Sequence, residues 1–313
     1  MEEKMKVMGV VGSGQMGSGI AQLGVMDGLD VWLVDTDPDA LGPRNLLFVS
    51  IMSFGWLRLS PNLLVEILLS ESLICIPQMA VGTDAPRRLR CTSNLKDLHS
   101  ADIIVEAIVE SEDVKKKLFS ELDKITKASA ILASNTSSIS ITRLASATSR
   151  PCQVIGMHFM NPPPLMKLVE VIRGADTSDE TFRATKALAE RFGKTVVCSQ
   201  DYAGFIVNRI LMPMINEAFF TLYTGVATKE DIDAGMKLGT NQPMGPLQLA
   251  DFIGLDVCLS IMKVLHTGLG DSKYAPCPLL VQYVDAGRLG KKRGIGVFDY
   301  RRVPESVKPN ARL

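Results

Sequence analysis

Short apolar runs alternate with amphipathic segments through the first two thirds of the chain. Residues 6–11 (KVMGVV) form an apolar, β-branched run, residues 18–28 carry apolar side chains at helical spacing, and residues 30–35 (DVWLVD) form a second apolar run. This order predicts a β-α-β unit. Five later runs are typical of buried strands separated by helices or loops, namely residues 101–110, 128–135, 152–160, 166–172 and 195–200. The pattern therefore predicts an α/β fold with a doubly wound, mostly parallel sheet.

After Asp201 the pattern changes to long helical periodicities without strand-like runs. Three segments show it, AGFIVNRILMPMINEAFFTLYTG, TKEDIDAGMKLG and MGPLQLADFIGLDVCLSIMKVLHTGL. We therefore predict a first domain over residues 1–200, a smaller all-helical C-terminal domain over residues 201–300 and a tail over residues 301–313. The uncharged apolar runs are too short for a membrane span, so we expect no membrane partner.

Composition narrows the class of partner. The 313 residues are 46% hydrophobic and 22% charged, and 34 basic residues balance 34 acidic ones. A net charge of zero gives no electrostatic reason to expect nucleic acid or an anionic membrane, so we expect a small-molecule substrate. The six cysteines are scattered singly, without the spacing of a zinc site, which predicts reduced thiols and no bound metal. The first residues lack the pattern of a secretory or organellar leader, so we expect none.

A glycine-rich turn joins the first strand to the first helix. Gly12, Gly14 and Gly17 form a GxGxxG pattern, in which glycines allow a tight turn and let backbone N–H groups approach a pyrophosphate at the helix N-terminus. Asp35 closes the second strand 18 residues after Gly17, where a carboxylate can accept hydrogen bonds from ribose hydroxyls. Because a carboxylate repels a 2′-phosphate, the pattern favours NAD over NADP and a Rossmann-type sheet.

One of only three histidines, His158, lies near the end of a strand-like run, twelve residues before Glu170 in a second run. A histidine in such a place is a candidate general acid or base, and a nearby carboxylate could orient its ring. Taken alone, each has an ordinary alternative: a structural histidine whose hydrogen bonds are satisfied, and a glutamate on a solvated strand face.

Together the motifs resemble a known family. The segments GVVGSGQMGSGIA, DIIVEAIVESEDVKKKLF, SNTSSISIT, GMHFMNPPPLMKLVEVI, QDYAGFIVNRILMPMINEA, KEDIDAGMKLG, PMGPLQLAD and GKKRGIGVFDY occur in order over residues 5–40 and 90–300. They are similar to the L-3-hydroxyacyl-CoA dehydrogenases, in particular the single-function 3-hydroxybutyryl-CoA dehydrogenase type. The resemblance implies NAD-dependent oxidation of a short-chain L-3-hydroxyacyl-CoA to the 3-ketoacyl-CoA in fatty acid metabolism or β-oxidation, by a homodimer.

The resemblance also assigns catalytic roles. His158 occupies the position of the base that takes the hydroxyl proton, and Glu170 that of the carboxylate which orients its ring and stabilises the imidazolium. Ser137 and Asn208 match residues that donate hydrogen bonds to the 3-oxygen of the substrate. The alternatives are a helix N-cap for Ser137 and an exposed polar position for Asn208.

Cofactor contacts are implied as well. Glu110, Lys115 and Asn161 match positions beside the nicotinamide ribose, although the acid and the lysine could equally belong to a solvated helix start. The complete set of expected cofactor-binding residues is Gly12, Gly14, Gln15, Met16, Gly17, Asp35, Glu110, Lys115, Ser137 and Asn161.

Residues 41–86 depart from the family pattern. The family has an amphipathic helical hairpin there, whereas this segment is longer and is broken by Pro43, Pro61, Pro77 and Pro86, each costing about 3 kcal/mol inside a helix. No CoA-binding residue carries over to it. The segment is either a divergent lid or a nonnative stretch, and the second interpretation is favoured.

Two further functions therefore stay open. One is a dehydrogenase of a small hydroxy acid without CoA; the other is a catalytically impaired NAD-binding chain. The final residues Ala311, Arg312 and Leu313 fit the small-basic-Leu form of a peroxisomal import signal, with a cytoplasmic location as the alternative.

Overall fold

An eight-stranded sheet forms the centre of the first of two units in this computed structural model, which describes residues 5–37, 41 and 85–301. The first unit is Met1–Asp201 and the second is Tyr202–Leu313. The strands are β1 (Val7–Val11), β2 (Asp30–Val34), β3 (Leu89–Thr92), β4 (Ile103–Glu106), β5 (Ile131–Ser134), β6 (Val154–Phe159), β7 (Leu168–Arg173) and β8 (Thr195–Gln200).

The strand order is β3-β2-β1-β4-β5-β6-β7-β8. The first six strands of this order run parallel, β7 runs antiparallel to β6, and β8 runs parallel to β7. Because β1 lies between β2 and β4, the chain leaves the sheet in opposite directions after β1 and β4, which opens a crevice at their carboxyl ends. The predicted doubly wound, mostly parallel sheet is confirmed.

Helices cover the sheet of the first unit. They are α1 (Gln15–Met26), the short α2 (Ala85–Arg88), α3 (Glu112–Ile125), α4 (Ile141–Ala145) and α5 (Asp179–Arg191), with 3-10 turns at Leu95–Ser100 and Pro151–Gln153. Helix α3 shows why they form: Leu118, Phe119 and Leu122 are buried, while most of its charged residues point outward. Burying each such side chain contributes about 1.5–3 kcal/mol to folding.

One predicted strand is shorter than expected, and one strand was not predicted. The run at residues 101–110 contributes only Ile103–Glu106 to the sheet, because its partner β1 ends at Val11 and pairing stops there. The edge strand β3 has no counterpart among the predicted strands. It has only four residues, it is half-exposed, and Arg90 interrupts its apolar run.

The second unit is built from five helices among its described residues. They are α6 (Val207–Tyr223), α7 (Lys229–Gly239), α8 (Pro246–Ile253), α9 (Leu255–Leu269) and α10 (Pro278–Asp285), with 3-10 turns at Ser272–Tyr274 and Lys291–Arg293. The third predicted helical segment is two helices, because Gly254 adopts φ +105° between α8 and α9. Over the described part of the chain, no single helix is long and apolar enough to cross a membrane; α8 and α9 reach that length and apolarity only together, across a 98° bend.

Candidate active site

The glycine-rich turn connects β1 to α1 at the carboxyl edge of the sheet. Gly12 has φ +102°, and a Cβ there would lie 2.5 Å from the carbonyl oxygen of Ala107. A Cβ on Gly17 would lie 1.7 Å from the carbonyl oxygen of Gly12. Gly14, the N-cap of α1, has no such neighbour within 4 Å, so open space lies in front of the helix N-terminus. Gln15 is exposed and Met16 is half-buried in the first turn. These features fit a pyrophosphate.

Asp35 follows β2 at the same edge. Its Oδ2 accepts hydrogen bonds from the backbone N–H of Ser13 at 2.7 Å and from the Ser13 hydroxyl at 2.8 Å, while its Oδ1 accepts from the backbone N–H of Asp37 at 3.1 Å. Burial acts to raise the pKa of Asp35, but the hydrogen bonds outweigh it and hold the pKa below its ordinary value. The carboxylate is therefore ionised at neutral pH beside the glycine turn, which suits the ribose hydroxyls of NAD.

His158 on β6 and Glu170 on β7 are direct partners across the antiparallel pair. The His158 Nδ1 lies 2.7 Å from the Glu170 Oε2, and Glu170 is fully buried. Because an ionised carboxylate only accepts hydrogen bonds, this contact places the proton of a neutral imidazole on Nδ1 and leaves the lone pair on Nε2. The alternative of a solvated Glu170 is wrong, and the pair has the arrangement of a base with its orienting carboxylate.

Ser137 lies just beyond β5, where Glu110 gathers four hydrogen bonds on one oxygen. The Glu110 Oε1 accepts from the Thr136 hydroxyl at 2.6 Å, from the Ser137 backbone N–H at 2.9 Å and hydroxyl at 3.2 Å, and from the Ser138 hydroxyl at 3.1 Å. Burial acts to raise the pKa of Glu110, but the charge of Lys115 and these hydrogen bonds lower it overall. The alternative of a helix N-cap for Ser137 is wrong, because Ser140 caps the next helix.

Lys115 has a side chain with no exposed surface, so the alternative of a solvated helix start is wrong for it. Its Nζ lies 2.5 Å from the Glu106 Oε1 and 3.3 Å from the Glu110 Oε2. Sequence reasoning missed Glu106, which closes β4. The available signal was a glutamate that ends an apolar strand nine residues before a lysine.

The loop between β6 and β7 follows Phe159 and contains the exposed Asn161. In this loop, the backbone carbonyl groups of Pro163 and Met166 accept hydrogen bonds from the Nζ of Lys194, at 2.6 Å and 2.9 Å. Burial lowers the pKa of Lys194, a second residue that sequence reasoning missed. On its other side the loop packs against α1, since a Cβ on Gly19 would lie 3.0 Å from the ring of Pro163. The segment with Asn161 is thus held beside α1.

Comparison with known proteins identifies the family. A family model described as the NAD binding domain of 3-hydroxyacyl-CoA dehydrogenase matches residues 7–45 and 78–202, and one for the C-terminal domain of the same enzymes matches residues 204–300. The chain belongs to the 3-hydroxyacyl-CoA dehydrogenase family. It is an NAD-dependent oxidoreductase that acts on CH–OH groups.

Full-length relatives of this 3-hydroxyacyl-CoA dehydrogenase family member agree with that assignment. It is 52% identical to a 3-hydroxybutyryl-CoA dehydrogenase of Bradyrhizobium diazoefficiens, over 96% of this chain and 97% of the relative. It is 39% identical to the mitochondrial hydroxyacyl-coenzyme A dehydrogenase of Homo sapiens, over 95% and 92% of the two chains. The crystal structure of (S)-3-hydroxybutyryl-CoA dehydrogenase from Ralstonia eutropha superposes with a TM-score of 0.82 at 43% identity, covering 96% and 100% of the two chains.

Two predictions concern other parts of this dehydrogenase. Asn208 lies on α6 in the second unit and is only 8% exposed, so the alternative of an exposed polar position is wrong. The atypical segment at residues 41–86 lies outside the described residues apart from Leu41 and the short helix at its end. The family model leaves residues 46–77 unmatched, within that segment.

Proposed function

We propose that this dehydrogenase oxidises short-chain L-3-hydroxyacyl-CoA, such as 3-hydroxybutyryl-CoA, to the 3-ketoacyl-CoA in fatty acid metabolism. The observation that carries the proposal is the buried His158–Glu170 pair, 2.7 Å apart at the edge of the sheet where the glycine turn lies. The name and 52% identity of the Bradyrhizobium relative support the choice of substrate.

His158 is the general base in this proposal. Its Nε2 takes the proton of the substrate hydroxyl, while Glu170 keeps the ring oriented through Nδ1 and stabilises the imidazolium that results. Bound NAD would supply the hydride acceptor for the carbon that carries this hydroxyl. Without the base, the alcohol proton has no acceptor as the hydride leaves, so the reaction slows at the chemical step.

Two further side chains bind the 3-oxygen in this scheme. The Ser137 hydroxyl donates a hydrogen bond to an oxygen that gains negative charge, and Asn208 supplies a second donor. The Ser137 hydroxyl makes the longest of the four hydrogen bonds to the Glu110 Oε1, at 3.2 Å. Because a long hydrogen bond is weak, the hydroxyl loses little when it turns to the substrate oxygen.

In this proposal, residues at the carboxyl edge of the sheet would hold the cofactor. Gly12, Gly14 and Gly17 with the first turn of α1, Gln15 and Met16, bind the pyrophosphate, and Asp35 binds the ribose hydroxyls. Glu110, Lys115, Ser137 and Asn161 line the nicotinamide ribose. We assign NAD binding to residues 1–200 and substrate binding with dimerisation to residues 201–300.

A homodimer is part of the proposal. The described part of the second unit exposes large hydrophobic side chains, namely Tyr202, Ile206, Ile210, Tyr223, Val226, Leu238, Phe252 and Val257. Such side chains on a helical unit suit a symmetric interface with a second copy of the chain.

The cellular location is a separate proposal. Ala311, Arg312 and Leu313 lie outside the described residues. The relatives at 50–52% identity are bacterial, which favours the cytoplasm over the peroxisome. Imaging a fluorescent fusion that ends in these three residues, beside one that lacks them, decides between the two locations.

The substrate is tested by initial rates of NADH oxidation with acetoacetyl-CoA and with free acetoacetate. The rate of NADPH oxidation with acetoacetyl-CoA is measured beside them. The proposal predicts rapid turnover only with acetoacetyl-CoA and NADH. Equal or faster turnover of free acetoacetate would support the hydroxy-acid alternative. An absence of turnover despite normal NADH binding would support the impaired chain.

A further inference from the structure

We infer that Glu106 is a positioning residue, which fixes Lys115 and, through Lys115, the Glu110 carboxylate that holds Ser137. This inference rests on the proposed function, since Ser137 matters to catalysis only if it binds the reacting oxygen. Glu106 itself lies behind these residues and touches neither substrate nor cofactor in the scheme above.

Glu106 is completely buried at the end of β4 and both of its carboxylate oxygens are engaged. Its Oε1 accepts hydrogen bonds from the Lys115 Nζ at 2.5 Å and from the Ile108 backbone N–H at 2.7 Å, and its Oε2 accepts from the Ser134 hydroxyl at 2.7 Å. One carboxylate thus ties together the ends of two adjacent strands and the start of the loop that leads to Glu110.

Lys115 lies between two carboxylates and is closer to the buried one. Its Nζ is 2.5 Å from Glu106 and 3.3 Å from Glu110. A buried ammonium needs a compensating anion, because burial removes the water that would otherwise solvate it. Glu106 supplies that anion, so Glu110 remains able to use its other oxygen for the three hydroxyls beyond β5.

Removing the charge of Glu106 changes what Lys115 binds. In Glu106→Gln the ammonium faces a neutral amide and has Glu110 as its remaining close anion, so it should move toward Glu110. Glu110 would then shift relative to Ser137, whose hydroxyl makes the longest of the four hydrogen bonds to the Glu110 Oε1. We expect a misplaced donor at the 3-oxygen and a disturbed nicotinamide ribose site.

The first test compares Glu106→Gln with Ser134→Ala. Both remove part of the same buried cluster, but Ser134 contacts the Oε2 of Glu106 and leaves the Lys115 contact intact. We expect Glu106→Gln to lower kcat about tenfold and to weaken NADH binding severalfold, with Ser134→Ala within about twofold of wild type in both. Rates are measured per NADH-binding site at saturating acetoacetyl-CoA, below the Tm of each variant.

A double-mutant cycle tests whether Glu106 acts through Lys115. The variants are Glu106→Gln, Lys115→Met and the double variant, with kcat and the NADH dissociation constant measured for each. We expect the double variant to be no worse than Lys115→Met alone. Multiplied losses in the double variant, or a Glu106→Gln protein with wild-type kcat and NADH affinity, would overturn the inference.

The NADH titration distinguishes failure of the proposed function from failure of the inference about Glu106. If wild type does not turn over acetoacetyl-CoA, the proposed function fails, while a nonadditive NADH cycle still supports the role of Glu106. If Glu106→Gln does not fold, Glu106→Asp is used in its place. This variant keeps the negative charge, but its side chain is one methylene shorter and holds the carboxylate farther from Lys115. Intermediate losses in kcat and NADH affinity are then expected, and wild-type values would contradict the inference.

Discussion

At the scale of single residues, buried ionisable side chains are paired across elements, Lys115 with Glu106 and His158 with Glu170. The glycine turn and Asp35 were predicted from residue type and spacing, whereas the roles of His158 and Glu170 were predicted from the resemblance to the family. The burial of Lys115 was not. A lysine in the first turns of a charged helix is ordinarily solvated, and only the packing of α3 against β4 brings its Nζ to Glu106.

Glu110 provides a pH-dependent prediction at this scale. Its folded pKa lies below the ordinary 4.5, so its ionised form stabilises the fold above the unfolded pKa, and this stability is lost as pH falls through the folded pKa. Glu110→Gln should therefore lower Tm at pH 7, by about 2–4 °C because partial exposure screens its charge.

The measurement is thermal unfolding of both proteins from pH 7 to pH 3. The difference in Tm should narrow below pH 4.5 as the wild-type carboxylate takes up a proton. A constant difference across this range would show that charge is not the cause.

At the scale of elements, the strands follow from the sequence because parallel strands buried on both faces are continuous apolar runs. Their ends do not, since pairing depends on where the neighbouring strand stops. The pairing of His158 with Glu170 also depends on register: a shift of one residue along β7 would turn Glu170 to the opposite face. The turn between β1 and α1 was predictable because a side chain at Gly12 or Gly17 would clash with the backbone.

Two glycines of that turn form a matched test. Gly17→Ala should destabilise the first unit by about 1–3 kcal/mol or prevent folding, because its Cβ would lie 1.7 Å from the Gly12 carbonyl oxygen. Gly14→Ala meets no atom within 4 Å, so its Tm should stay near wild type while NADH binding weakens. Chemical unfolding and NADH fluorescence titration measure the two effects. A Gly14→Ala protein with wild-type NADH affinity would exclude the pyrophosphate from that space.

At the scale of the whole molecule, the sequence predicted a sheet followed by helices, and the fold class is confirmed. The division of the segment at residues 244–269 into two helices was not predicted, because apolar periodicity continues across Gly254 and only its positive φ breaks the helix.

The proposed assembly makes a prediction for the molecule in solution. Light scattering during size-exclusion chromatography should give twice the 34.1 kDa mass of one chain. Replacing the exposed Ile210 with Glu should shift this mass toward one chain if α6 contributes to the interface, whereas the exposed Lys263→Glu serves as a charge control. A single-chain mass for the wild type at micromolar concentration would contradict the dimer.

The central claim is that His158, oriented by Glu170, takes the proton of the reacting alcohol. The most direct measurement is kcat and NADH affinity for His158→Gln, at saturating acetoacetyl-CoA. We predict that kcat falls by about two to four orders of magnitude while the NADH dissociation constant stays within about threefold. A fall in kcat of less than about tenfold, with NADH binding intact, would remove His158 from the role of general base.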